Sequence, residues 1–241
     1  SLAADVDDMA AARTFSEESV QHMRAVCAMR PDDDGPISEL SIALGQVADV
    51  AEPAVARAAA SEALTLARKA FAIDPTRNDY ADRVSLALFA VTALMNDESD
   101  KEQCMAYLRE AVAIQRERLA ADQANTAIIR RLAPMLRRLG ALLLEEGEYA
   151  DAYGFFAEAA DATRTVLRAN PESASLAADL LRINRLTAKA LLRLGNTAAL
   201  GPIFDESTAI CAGPMSAATG WDSMINTAVD GLKWVHAGSS R

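Results

Sequence analysis

Proline recurs along this chain at intervals that a single irregular core would not require. Pro31, Pro75, Pro171 and Pro214 each follow a long run of helix-forming residues. Pro31 and Pro75 are 44 residues apart and Pro171 and Pro214 are 43 apart. The 96 residues between Pro75 and Pro171 are interrupted near their midpoint by the polar stretch Ala121-Asp122-Gln123. A proline cannot continue a helix, because it lacks the backbone donor and its ring crowds the preceding turn. Each therefore closes one unit, and self-similarity at a period in the mid-forties is the signature of stacked supersecondary repeats.

The residues between the prolines decide which kind of repeat. Hydrophobic residues make up 51% of the 241 and aromatics only 5%, so the apolar content is mostly alanine and leucine. Both are strong helix formers, and runs such as Ala58-Ala59-Ala60 let helices approach closely. The pattern predicts an all-α chain of about nine or ten helices arranged as antiparallel hairpins. The pairs are Ile37–Val50 with Pro53–Ile73, a face formed by Val84, Leu86, Leu88, Val91 and Leu94 with a helix from about Asp100 through Ile114, and a helix from near Ser173 followed by one containing Leu200, Ile203, Phe204 and Ile210. Pro53 suits a helix start. Pro134 interrupts an otherwise helical run and predicts a kink or a restart there.

The clearest repeat runs from about residue 125 to 171. Leu136, Leu139, Gly140 and Leu143 stand at the spacing W-x2-L-G-x2-Y, Gly147 and Tyr149 at a turn, and Ala152, Phe156 and Ala159 at A-x3-F followed by a small residue. In this pattern the chain resembles the tetratricopeptide repeat family, with leucine replacing two aromatics and with helices longer than the family's ~34-residue unit. The resemblance implies a superhelical solenoid whose hairpins present their first helices to a concave groove. Its organisation would be an N-terminal helical segment over residues 1–36, about four hairpins over 37–212, and a capping helix with a disordered tail over 213–241. That last helix would carry Trp221 and Trp234 and cover the apolar end of the array.

Charge narrows the partners. The formal net charge is −10, which weighs against a nucleic-acid binder, since such proteins carry a basic footprint. Residues 1–120 hold 12 Lys and Arg against 21 Asp and Glu, whereas residues 121–241 hold 12 against 13. Within the second half, Arg182, Arg185, Lys189 and Arg193 are spaced 3, 4 and 4 apart along one helix, and Arg130 and Arg137 are seven apart on the corresponding helix of the preceding repeat, with Arg131 and Arg138 beside them. Such spacing gathers the cations along one helix face. If the first helices line the groove, as the resemblance implies, these residues form a basic strip able to bind carboxylates through guanidinium forks. The rival is a solvated face answered by acids in the next helix, such as Glu145, Glu146 and Asp179. The lysine–asparagine clamp of chaperone-binding family members is absent; Ala141 stands where a polar residue would be expected.

Motifs for chemistry do not emerge. Gly140, Gly147 and Gly154 fall on helix and turn without the Lys-Ser/Thr of a phosphate loop, His22 and His236 lack ligand neighbours at metal spacing, and Asp32-Asp33-Asp34 has no glutamate at the final position of a calcium loop. Cys27, Cys104 and Cys211 are too far apart for a zinc knuckle and read as small apolar packing groups in a reducing, cytoplasmic setting. No apolar run reaches membrane-spanning length. The chain therefore reads as a non-catalytic protein-interaction or scaffolding module without cofactor or metal. Its expected partner is a protein or an acidic peptide rather than nucleic acid or membrane. The Ala/Arg/Leu-rich long-period style resembles repeat regions of bacterial multidomain signalling proteins. The alternative is a regulatory domain sensing a small molecule or short peptide.

Overall fold

The computed structural model describes residues 2–95 and 100–212, with side chains from Ala11 onward. Nine α-helices and no strand occur among the described residues: α1 Leu2–Met29, α2 Asp34–Val50, α3 Pro53–Ile73, α4 Asn78–Leu94, α5 Lys101–Ala121, α6 Thr126–Glu145, α7 Tyr149–Ala169, α8 Ala174–Arg193 and α9 Leu200–Ala212, the last preceded by a 3-10 turn at Thr197–Ala199. The stretch before Pro31 is one long helix. None of the described helices is long and apolar enough to cross a membrane. The capping-helix expectation, with Trp221 and Trp234, lies outside the described residues.

The chain divides after Arg118, within α5, into two compact units. In the first, α2 packs antiparallel on α3, with α1 and α4 on either side. Leu40, Ala43, Leu44 and Val47 of α2 meet Ala59, Ala60 and Ala63 of α3, and Val20 of α1 closes the cluster. The alanines let the helices come close, and the leucines and valine fill the space that closeness leaves. A smaller cluster joins Ile37, Ala70 and Tyr80. The Tyr80 hydroxyl donates to Asp34 at 2.7 Å, and the guanidinium of Arg77 lies 4.3 Å from its ring centre. Burial and that hydrogen bond push Tyr80 up to about 12. A buried polar knot ties α4 to α5, where the Gln115 amide donates to Asp82 and Ser85 and Arg118 pairs with Asp82.

In the second unit, α6 packs on α7, and α8 on α7. Leu132, Met135, Leu136 and Leu139 are fully buried on α6, facing Ala152, Phe156 and Ala159 on α7. Gly140 lies tight against α7. A Cβ there would lie 2.7 Å from Phe156 Cε1, 2.9 Å from its Cδ1 and 3.2 Å from the Ala152 carbonyl oxygen. Pro134 stands inside one continuous α6. Of the two expected outcomes, a kink or a restart, the restart does not occur; buried residues flank the proline on both sides and offset the lost backbone bond, which costs ~3 kcal/mol in an isolated helix.

The ends of the hairpins repeat as well as their cores. The Asn125 side chain accepts from the Ala127 and Ile128 amides at the start of α6, and Ser173 accepts from Leu176 at the start of α8. At the other ends, Gly147 at φ 86° and Gly195 at φ 72° adopt the left-handed conformation. The following amides, Glu148 and Asn196, each reach back 2.9 Å to the carbonyls of Leu143 and Leu191. Both ends are the αL closure that lets a helix stop and turn sharply.

Candidate functional site

Every residue of the basic strip falls on α6 or α8, within the second unit. Arg130 is exposed and Arg137 half-buried on α6; on α8 Arg182 is half-buried and Arg185, Lys189 and Arg193 are exposed. Helical spacing alone does not make these six one site. What the fold brings together is a cleft of about 160 Å³ between α6, α7 and α8, lined by Arg130, Pro134 and Arg137 from α6, Thr163 and Val166 from α7, and Asp179 and Ile183 from α8, among others. Arg185, Lys189 and Arg193 are not in its lining.

The electrostatics of the cleft turn on Asp179. Arg182 reaches it at 2.7 Å, one turn along α8, so this strip arginine is held by an acid of its own helix rather than of the next one. Arg137 differs. Among the described residues no carboxylate comes within ion-pair distance of it. Burial pushes its guanidinium below the usual arginine range, Asp179 opposes that, and Arg182 and Arg138 add to it. A partly desolvated guanidinium fork beside an open cavity is chemically able to donate paired hydrogen bonds to an anion.

Sequence reasoning had Asp179 only as a possible neutraliser and did not foresee that α7 would supply an apolar wall through Ala162 and Val166. It also missed a second groove, in the first unit. There Ile42, Gly45 and Gln46 of α2, with Arg83, Leu86 and Ala90 of α4, line a predominantly apolar depression of about 350 Å³. Ile42 and Leu86, 44 residues apart, occupy equivalent places on two first helices, a signal present in the repeat period but unread.

Ion pairs join second helices of successive hairpins. Arg24 of α1 pairs with Glu62 of α3 at 2.7 Å, and Arg68 of α3 with Glu110 of α5 at 2.6 Å. In the second unit Arg164 of α7 pairs with Glu206 of α9 through two contacts, 2.6 and 2.9 Å, and Asn184 adds a third bond to the same carboxylate at 2.8 Å. Burial would raise Glu206, but the Arg164 and Asn184 hydrogen bonds outweigh it and hold the carboxyl below its usual range. The three thiols are free: Cys104 is buried, and burial pushes the half-buried Cys27 and Cys211 upward.

Among solved structures, the crystal structure of BtubC (BKLC) from P. vanneervenii superposes with a TM-score of 0.50 over 96% of this chain and 92% of that one, at 17% identity. A crystal structure of MamA protein gives a TM-score of 0.50 over 90% of this chain and 93% of that one, at 13% identity. The fold is that of a tetratricopeptide-like helical repeat. At such identities the likeness concerns the path of the backbone alone. No protein-family model matches the sequence, and no curated protein does. The tetratricopeptide-like hairpins are therefore carried by the residues that build them: small groups at helix crossings, αL glycines at turns, and leucine where many repeats place aromatics.

Proposed function

We propose that this chain is a protein-interaction module that receives an acidic segment of a partner on the α6–α8 face. The observation that carries this is Arg137, half-buried in the cleft and, among the described residues, without a carboxylate at ion-pair distance. Arg130 shares the cleft lining, and Arg185, Lys189 and Arg193 extend positive charge along exposed α8. On a chain of net charge −10 this local excess of cations favours an acidic ligand by contrast with its surroundings. A helical repeat suits the task, because stacked hairpins offer an extended surface in place of one enclosed pocket. The isolated thiols fit a reducing, cytoplasmic setting, and the repeat style fits a module of a larger signalling protein.

The test is charge reversal at exposed positions, which leaves the core untouched. A partner is first recovered at low salt with the purified chain as bait, and its affinity is measured for the wild type and for the double variant Arg130→Glu, Arg185→Glu. Screening acts over about 8 Å at physiological salt, so binding should weaken as salt rises. A loss of about tenfold or more on reversal, each 1.4 kcal/mol being tenfold, supports the reading. Unchanged affinity with folding intact removes the basic face from the binding surface.

A further inference from the structure

We propose that the cleft between α6, α7 and α8 is a receptor site for the phosphate monoester of a phosphorylated partner side chain. The proposal rests on the reading that this face receives a partner segment, and it specifies the group that anchors there.

Three observations lead to it. The first is a charge count. Three arginines and one acid govern the cleft: Arg130 and Arg137 line it, and Asp179, which also lines it, is paired with Arg182 at 2.7 Å. With Asp179 committed to Arg182, two cations are left to be answered. A carboxylate supplies one negative charge, whereas a phosphate monoester carries about −1.5 to −2 at pH 7 with three strong acceptor oxygens.

Size and reach are the second observation. At a liquid share of ~30 Å³ per water, a cavity of about 160 Å³ has room for roughly five waters, enough for a phosphate group and the carbon that bears it. Arg130 and Arg137 are seven residues apart, about 10 Å along the axis at 1.5 Å per residue, a separation that two long side chains close when both turn toward one group.

The third is the chemistry of the walls. Pro134, Val166 and Ile183 supply apolar surface for the stem, and Thr163 is the polar residue that α7 contributes to the lining. α7 brings no charged group to the cleft lining, so the charged groups that line it are Arg130 and Arg137 from α6 and Asp179 from α8, the last paired with Arg182.

The experiment follows the guanidino Nε resonance of Arg137 in the intact chain, labelled at arginine. The probes are N-acetyl-O-phosphoserine amide, N-acetyl-glutamate amide and inorganic phosphate at matched ionic strength. The phosphoserine compound is expected to shift the resonance saturably and to bind about tenfold or more tightly than the glutamate compound, reflecting the second charge and extra acceptors. Its affinity should fall between pH 7.5 and 5, as the phosphate takes up a proton near its second pKa of about 6. Arg137→Gln should abolish binding, Arg137→Lys should restore it only in part because the fork is lost, and Asp179→Asn should strengthen it by removing the negative charge that lines the cleft. Equal binding of phosphoserine and glutamate compounds overturns the dianion assignment while the acidic-segment reading stands. Inorganic phosphate binding as tightly as the phosphoserine compound assigns the cleft to free phosphate instead. The absence of any saturable shift overturns the site itself, whatever partner the larger face holds.

Discussion

At the scale of single residues, Gly140 sets how closely α6 and α7 can pack. The ring it faces, Phe156, is fully buried, so an added methyl meets a neighbour with little room to retreat. Gly140→Leu is expected to destabilise the chain by about 1–3 kcal/mol, the usual range for overpacking. Thermal unfolding should register this as a fall of roughly 2–4 °C per kcal/mol for a chain of this size. Pairing it with Phe156→Leu should recover part of the loss, a non-additivity of about 0.5–3 kcal/mol that identifies the contact as the cause. Glu206 gives a pH-dependent counterpart. Its folded pKa lies below the unfolded one, so its stabilisation is present above the unfolded carboxylate range and disappears as pH falls through the folded value. Glu206→Gln should cost roughly 1.5–3 kcal/mol at pH 7, as for hydrogen bonds to charged groups. In urea titrations the gap between variant and wild type should narrow steadily on acidification below about pH 4. A gap independent of pH would mean that packing, not the ionised pair with Arg164, is what the glutamate supplies.

At the scale of helices, boundaries are fixed by chemistry that can be exchanged one residue at a time. Gly147 and Gly195 are the described residues with positive φ. Gly147→Ala or Gly195→Ala should each lower stability by roughly 1–2 kcal/mol, the penalty of a Cβ in the left-handed conformation, with helix content by circular dichroism nearly unchanged. The same residues explain what was legible in the sequence. The 125–171 hairpin could be read because Gly140, Gly147, Ala152 and Phe156 each do one job that few other residues can do. The equivalent small positions Thr92 and Ala188, each 48 residues from Gly140, are buried at the same register, but threonine and alanine occur in helices for many reasons and carry no such signal. The candidate site was legible only in its cations. Periodicity places Arg130 and Arg137 on one face of α6, but the cleft depends on how α7 lies between α6 and α8. Whether Arg182 meets solvent or Asp179 is a matter of side-chain geometry, to which spacing is silent.

At the scale of the whole molecule, cohesion within each unit comes mainly from contacts between neighbours in the sequence of helices, as expected of stacked repeats. Local openings should therefore differ along the chain. In native-state hydrogen exchange the slowest amides are expected around Leu136, Leu139 and Phe156, whose side chains are fully buried, and faster ones in α1, where Phe15 and Met29 are 72% and 75% exposed. Uniform protection from α1 to α9 would instead indicate one all-or-none unit. The Arg24–Glu62 and Arg68–Glu110 pairs are half-exposed, and exposed pairs contribute about 0–1 kcal/mol; their interest lies in register more than in strength.

That register has a consequence for how such a chain can change. Asn125 and Ser173 open two first helices with the same side-chain cap, and the glycines that end those helices are, like the caps, 48 residues apart. A segment that begins after one cap and finishes with the next is a self-contained cassette. Copying residues 126–173 in tandem would give α7 a new neighbour bearing the α6 sequence, and α8 a preceding α7 identical to the one it already has. Every junction in the enlarged chain would keep its cap and its αL turn, while the number of guanidinium-lined clefts could rise with each copy. Gene duplication could thus lengthen the array without a single substitution.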